Sequence, residues 1–187
     1  MPDVTLLDPW NAAEAVARCP ITPWRGTVWR AHASIYAATD PAGARRKSGR
    51  YHRAPDDFPD GPVWAVLYLA LGRDVCLGEI LRNVTTIPVR DYRITRLRIG
   101  LAAVLDCRDL TLIGLTLDDV VGVIDYETPQ RLAGAAFVAG VEAMLVPSAT
   151  LLGDNLIVFV DQFRLGSRPR VVDHVEPNLA KLPLAFA

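Results

Sequence analysis

A continuous apolar run lies in the first half of the chain: Val63-Trp64-Ala65-Val66-Leu67-Tyr68-Leu69-Ala70. Turn-forming residues bound it, with Gly61-Pro62 before it and Gly72 after it. An apolar run of this length without polar alternation is typical of a β-strand that is buried on both faces. We therefore predict a central strand here and build the rest of the fold outward from it.

A helix is predicted directly after this strand, over residues 72–83, with Asp74 near its start. The i, i+4 spacing places Leu71, Val75 and Glu79 on one stripe, because residues four apart face the same side of a helix. A carboxylate therefore shares a stripe with aliphatic side chains. Glu79 is the first candidate for a functional residue in this region.

Other elements are predicted on both sides of this unit. Helices are expected over residues 8–18, opened by the cap Asp8 and by Pro9, and over residues 128–140, opened by Thr128-Pro129. A short helix or turn is expected over 118–123, a long surface loop over 39–62, and further strands over 27–31, 86–89, 92–99, 141–146 and 155–160. This mixture predicts an α+β fold with a mixed or antiparallel β-sheet core and flanking helices.

Length and composition favour one domain over residues 1–187, since the chain has 187 residues, of which 51% are apolar and 22% charged. Residues 1–25 are interpreted as an N-terminal helix and lead-in, and residues 163–187 as a tail. The formal net charge is −1, so no overall field attracts the protein to nucleic acid or to anionic lipid. We expect no membrane association and no direct binding of nucleic acid.

Cysteine and histidine spacing argues against disulfides and metal sites. Cys19, Cys76 and Cys107 are far apart and form no CxxC pair, and the three histidines show no paired spacing. No basic segment followed by an apolar segment opens the chain, so a cytoplasmic protein without a metal ion is expected. The sequence also lacks a P-loop, a GxGxxG turn, a GxSxG elbow and an EF-hand loop.

Several short motifs follow one another along the chain: Trp29-Arg30, Ser48-Gly49-Arg50-Tyr51, Gly61-Pro62 before Val66-Leu67-Tyr68-Leu69-Ala70, and Glu79. Thr128-Pro129 with Leu132-Ala133 comes next, then Gly140-Val141-Glu142-Ala143-Met144-Leu145-Val146-Pro147-Ser148, and then Asn155. In this order the motifs resemble the RES domain family of toxins, named for an arginine, a glutamate and a serine. The resemblance covers roughly residues 26–162.

The resemblance implies a fold similar to ADP-ribosyltransferases and an enzyme that degrades NAD or transfers ADP-ribose from it. It also implies a hetero-oligomer with an Xre-type antitoxin that blocks the pocket. Arg30, Glu79 and Ser148 match the naming triad, and Tyr51 and Tyr68 match the aromatic residues of the pocket. The turn Ser48-Gly49-Arg50-Tyr51 departs from the Gly-Gly-Arg-Trp that is usual in the family, and His52 stands where the family usually has asparagine.

These residue types suit cleavage of the bond between nicotinamide and ribose. A carboxylate such as Glu79 stabilises the positive charge of an oxocarbenium-like transition state. Arginine binds diphosphate through paired hydrogen bonds, and both Arg30 and Arg50 remain candidates for the main ligand. The rings of Tyr51 and Tyr68 are expected to stack on flat groups of NAD. Ser48, Ser148 and Asn155 are expected to supply polar contacts to the substrate.

Other interpretations of the same residues stay open. The basic residues of the segment 45–53 suit binding of RNA or DNA, for example in a ribonuclease toxin, although the net charge weighs against it. A binding protein that has lost catalysis would keep the fold without needing the triad. Taken singly, Glu79 is also explained by a helix ion pair with Arg82, Tyr68 by core packing, and Ser148 and Asn155 by turns.

Overall fold

The computed structural model describes residues 10–83, 92–122 and 126–175. Six strands form one sheet in the order β1-β2-β5-β4-β3-β6, and β1 also pairs with β3. The strands are β1 (Ile21–Ala33), β2 (Val66–Ala70), β3 (Tyr92–Asp106), β4 (Ala143–Pro147), β5 (Asp154–Phe159) and β6 (Arg170–Val175). Five of them therefore form a closed ring, and β6 lies against β3 outside the ring.

The sheet is mixed, because β3 and β4 run parallel while the other pairs are antiparallel. β3 is the longest of the described strands: β1 pairs with almost its whole length, while β6 and β4 pair with its other edge at residues 94–98 and 104–106. The predicted α+β fold with a mixed β-sheet and flanking helices is confirmed. The predicted strand at residues 86–89 lies outside the described residues.

Five helices flank the sheet in the described part of the chain: α1 (Ala12–Arg18), α2 (Ala42–Arg46), α3 (Arg73–Asn83), α4 (Leu117–Val121) and α5 (Glu127–Val138). Asp8, the predicted cap, lies outside the described residues; α1 begins at Ala12, and the Asn11 side chain accepts the N–H groups of Ala13 and Glu14 at its start. Thr128 is not a cap, since α5 begins at Glu127.

The central strand is confirmed but shorter than predicted. β2 begins at Val66, and Trp64 pairs with Arg53 in an isolated bridge before it. β2 lies between β1 and β5, with Leu67 and Leu69 fully buried on one face. The opposite face of β2 carries Val66 and Tyr68, because side chains alternate along a strand.

The tail also differs from the prediction, because it contains β6. Its attachment depends on polar contacts that an apolar pattern does not reveal. Asp173 pairs with Arg96 of β3, and the His174 ring is hydrogen-bonded to Thr95, with 2.7 Å between Nδ1 and Oγ1. All three cysteines are free and buried, and the Sγ atoms of Cys19 and Cys107 lie 3.6 Å apart.

Candidate active site

A pocket of about 590 Å³ lies where β1, β2, β5, α3 and the turn after α2 meet. Its size falls in the range of small-molecule sites, roughly 300–1,000 Å³. Glu79 is its one acidic lining residue among those described, and Lys47 and Arg50 are the basic ones. Aromatic rings contribute much of the rest, and they are Trp29, Tyr51, Tyr68, Tyr92 and Tyr126.

Glu79 is held in place by residues from the other end of the chain. Ser148 donates a hydrogen bond of 2.7 Å from Oγ to Oε1 of Glu79, and Asn155 donates one of 3.0 Å from Nδ2 to the same oxygen. Ser148 directly follows β4, and Asn155 lies in β5, so the β4–β5 hairpin carries both donors. The structure therefore brings Glu79, Ser148 and Asn155 together.

Ser148 and Asn155 differ in their access to the pocket. Ser148 is 0% exposed and does not line it, whereas Asn155 does. The Ser148 hydroxyl therefore contacts Glu79 from a position closed to solvent.

The turn at residues 49–52 forms a second wall of the pocket. Gly49 and His52 pair across it through backbone hydrogen bonds of 3.2 and 3.4 Å. Gly49 must be small here, because a Cβ atom at this position would lie 2.6 Å from the His52 ring and 3.1 Å from the Tyr68 hydroxyl. Ser48 lines the pocket beside the turn, and its Oγ accepts the N–H group of Ala54.

Tyr68 is fixed through its hydroxyl group. The hydroxyl accepts the N–H group of Tyr51 at 2.9 Å and lies 2.9 Å from Nδ1 of His52. Nε2 of His52 lies 2.7 Å from the carbonyl oxygen of Lys47, which only accepts, so Nε2 carries the proton and Tyr68 donates to Nδ1. Burial lowers the pKa of His52, which favours this neutral form.

Tyr51 is placed differently from the prediction. Only 2% of the residue is exposed, and its ring packs in the main core cluster, so the ring offers little surface for stacking. Among the described residues its hydroxyl is buried without a hydrogen-bond partner. The backbone of Tyr51 instead supports the site, because its carbonyl oxygen accepts the indole N–H of Trp64 at 2.9 Å.

Arg50 lines the pocket and is supported from outside by α4. Its Nη1 donates to the carbonyl oxygens of Val120 and Gly122 at 2.9 and 2.7 Å. The guanidinium also lies 4.8 Å from the centre of the Tyr126 ring. A guanidinium group has five N–H donors, and these contacts use Nη1 alone. Its other nitrogens, Nε and Nη2, are the ones suited to an anion in the pocket.

Arg30 is not among the residues that line the pocket. Its guanidinium donates to the carbonyl oxygens of Ala38 and Asp40, which closes the loop after β1. Burial lowers the pKa of Arg30 to about 10. This arginine of the motif therefore binds backbone carbonyl groups of the loop after β1, while its neighbours Trp29 and Ala31 line the pocket.

Other residues of the site were missed by the sequence analysis. Gln130 on α5 is buried and donates to the Gly49 carbonyl at 3.0 Å, while its own oxygen accepts from Arg53. No local pattern distinguishes such a glutamine from a surface residue. Tyr92 and Tyr126 likewise gave no signal beyond their residue type. Cys76 lines the pocket too, and burial raises the pKa of its thiol to about 12, so it stays protonated.

Three arginines of the basic segment 45–53 have partners within the chain. Arg45 pairs with Asp161, Arg46 donates to the Tyr36 hydroxyl, and Arg53 lies over the rings of Phe58 and Trp64. These contacts weaken the interpretation of this segment as a nucleic-acid site. Within the three described stretches, no cluster of His, Cys, Asp and Glu is arranged to hold a metal ion, and no helix is long and apolar enough to span a membrane.

Comparison with known proteins identifies the family. The sequence model of the RES domain matches residues 27–179. The chain belongs to the RES domain family. A relative named probable NAD(+) phosphorylase, from Mycobacterium tuberculosis, is 32% identical over 156 residues, which cover 79% of this chain and 71% of the relative.

A solved structure shares the RES fold of this chain. It is the crystal structure of the M. tuberculosis MbcT–MbcA toxin–antitoxin complex, in which the matching chain has a TM-score of 0.75 and 24% identity. The match covers 90% of this chain and 93% of that one. The RES sequence match itself extends past residue 162 and includes β6, so the motif-based resemblance ended too early.

Proposed function

We propose that this RES protein is a toxin that consumes NAD by cleaving the bond between nicotinamide and ribose. The observation that carries the proposal is the Glu79 carboxylate, held by Ser148 and Asn155 at the wall of a pocket of about 590 Å³. The relative named NAD(+) phosphorylase supports the choice of substrate.

The reaction breaks the C–N bond, and its electron pair leaves with nicotinamide, which becomes neutral. Positive charge develops on the ribose ring as the bond breaks, and a fixed carboxylate stabilises that charge more than it stabilises the ground state. Two donors hold Oε1 of Glu79, so the carboxylate needs little reorganisation during the reaction. The catalytic role of Glu79 follows from this preorganisation.

Arg50 is the proposed ligand for the NAD diphosphate. It lines the pocket, whereas Arg30 binds two carbonyl oxygens of its own chain outside it. Arg30 is therefore proposed to act indirectly, by holding the loop after β1 beside the pocket. Trp29, Tyr68 and Tyr126 are the proposed platforms for the flat rings of the substrate, because all three line the pocket and are partly exposed.

Inorganic phosphate is the proposed acceptor of the ADP-ribose. A phosphate oxygen forms the new bond to the ribose carbon that nicotinamide leaves. The name of the relative supports this choice over water or a protein side chain, and Lys47 and Arg50 supply positive charge at the pocket. To test this choice of acceptor, purified protein is incubated with NAD, with and without phosphate, and the products are identified by mass spectrometry. We expect nicotinamide and phosphorylated ADP-ribose only when phosphate is present; equal release without it, giving free ADP-ribose, contradicts phosphorolysis.

The partner is proposed to be an Xre-type antitoxin that covers the pocket. The fold match to a chain of a toxin–antitoxin complex supports a partner of this kind. Expression of the chain alone is expected to lower cellular NAD and to stop growth, and co-expression of an antitoxin encoded beside it is expected to restore both. Normal growth and normal NAD at high expression of the soluble protein contradict the toxin assignment.

A further inference from the structure

A chain of hydroxyl groups continues behind Glu79 into the β4–β5 loop. Ser148 Oγ lies 2.7 Å from Oε1 of Glu79 and 2.8 Å from Oγ1 of Thr150. The N–H group of Thr150 also donates to Ser148 Oγ at 3.1 Å, and Oγ1 of Thr150 accepts the N–H group of Leu152 at 3.3 Å. Ser148 and Thr150 are 0% and 6% exposed, so water does not compete for these bonds.

The direction of each hydrogen bond in this chain is determined. Oε1 of Glu79 already accepts a proton from the Asn155 amide, so it acts as an acceptor and Ser148 must donate to it. A serine hydroxyl has one proton, which is thereby used. The contact between Ser148 and Thr150 therefore has the Thr150 hydroxyl as its donor.

Thr150 thus occupies both acceptor sites of Ser148 Oγ, one with its hydroxyl and one with its backbone N–H. A hydroxyl group whose two lone pairs are both used has a single direction left for its proton. That direction is toward Glu79. Hydrogen bonds in such a chain polarise and strengthen one another in a buried site.

We propose that Thr150 is a positioning residue for catalysis: it acts through Ser148 to fix the carboxylate of Glu79. This inference rests on the proposed NAD cleavage. It concerns a residue outside the arginine, glutamate and serine of the family name, and one that is not among the residues lining the pocket.

The loop itself keeps Thr150 in this arrangement. The N–H group of Leu151 donates to the Ser148 carbonyl at 3.0 Å, and the N–H group of Ser148 donates to the Gly153 carbonyl at 2.9 Å. Leu151 adopts a φ of 60°, which non-glycine residues rarely do. Two backbone hydrogen bonds thus close the loop around Thr150.

Replacement of Thr150 by valine tests the proposal, because valine has the same shape without the hydroxyl. We expect Thr150→Val to lower kcat for nicotinamide release about 3- to 10-fold, the range for loss of one hydrogen bond. KM for NAD should stay unchanged, since Thr150 does not contact the pocket. Thr150→Ser keeps the donor and should restore kcat, and Thr22→Val on the exposed part of β1 is the matched control.

A double-mutant cycle separates positioning from a merely structural role. In the Ser148→Ala background, Thr150→Val should have no further effect on kcat, because its target is gone. An unchanged kcat in Thr150→Val, or an equal loss in both backgrounds, overturns the proposal. If the valine variant does not fold, Thr150→Ala is measured in its place with the same expectations. Absence of nicotinamide release by the unmodified protein would instead contradict the proposed function.

Discussion

Ser148 donates a 2.7 Å hydrogen bond to Glu79 although 69 positions separate the two residues in the chain. The bond joins α3, the helix that follows β2, to the hairpin of β4 and β5. Asn155 on the same hairpin donates to the same carboxylate oxygen at 3.0 Å. Packing of these two parts of the fold therefore assembles the reactive end of the pocket.

Arg50 and Arg30 are expected to differ when each is replaced by lysine. Lysine cannot form the paired hydrogen bonds by which guanidinium holds phosphate groups. Arg50→Lys should therefore raise KM for NAD about 10-fold, which corresponds to one charge-assisted hydrogen bond. Arg30→Lys should instead lower the free energy of unfolding by about 1–3 kcal/mol, because the partly buried carbonyl groups of Ala38 and Asp40 lose their guanidinium donors.

Steady-state kinetics and urea unfolding of both variants measure these effects. Arg45→Lys is the control, since Arg45 is exposed and pairs with Asp161 on the surface. A large rise in KM for Arg30→Lys with an unchanged KM for Arg50→Lys would reverse the assignment of the diphosphate ligand.

His52 should make the stability of the fold depend on pH. Burial lowers the pKa of His52 in the folded protein, whereas in the unfolded chain histidine titrates near pH 6.5. As the pH falls below about 6.5, the unfolded chain binds this proton first, so the free energy of unfolding decreases. Protonation would also place two donors on Tyr68 and remove the acceptor for its hydroxyl proton.

Urea unfolding at pH 7.5 and pH 5.5 measures this effect. His52→Asn should lose less free energy of unfolding between the two pH values than the unmodified protein. Burial also lowers the pKa of His32. His32 is present in both proteins, so its contribution to the pH dependence of the free energy of unfolding cancels in the comparison. Equal losses would show that His52 does not titrate differently in the two states.

Glu142 is expected to be important for stability. Its side chain is buried and accepts the backbone N–H groups of Ala102, Ala103 and Arg164 at 2.6 to 3.1 Å. Burial alone would raise the pKa of Glu142, but these bonds and one from Ser167 outweigh burial and hold the pKa below its usual value. Its contribution is therefore present above about pH 4.5 and is lost as the pH falls further.

Glu142→Gln should lower the free energy of unfolding at pH 7 by about 2–4 kcal/mol, because buried N–H groups lose a charged acceptor. Chemical denaturation checks this, and Glu14→Gln is the control, because the Glu14 side chain lies on the exposed side of α1. The difference from the unmodified protein should shrink toward pH 3. A loss no larger than that of the control would contradict the structural role of this carboxylate.

The sequence predicted the elements that have strong local signals. The apolar run that contains β2 and the helix that carries Glu79 follow from hydrophobic pattern and from bounding turn residues. β6 was missed because residues 170–174 are polar or exposed, and Asp173 and His174 are held by Arg96 and Thr95 of a distant strand. Asp8 was chosen as a cap on residue type, yet Asn11 provides the contact.

The candidate site was predicted through the order of motifs, and its geometry was not. The structure brings Ser148 and Asn155 into contact with Glu79, but nothing local indicated that Ser148 would be fully buried. Tyr51 was predicted from its ring and contributes mainly its backbone. Contacts across the fold decide these orientations, and a single sequence does not contain their distances.

The central claim is that the Glu79 carboxylate stabilises the transition state of NAD cleavage. The most direct test compares the unmodified protein with Glu79→Gln. Each is mixed with NAD and phosphate, and the release of nicotinamide is measured by chromatography. We predict steady release by the former and a loss of at least about 100-fold for the latter, with an unchanged melting temperature. Equal rates for the two proteins, or no release by the folded unmodified protein, would contradict the account.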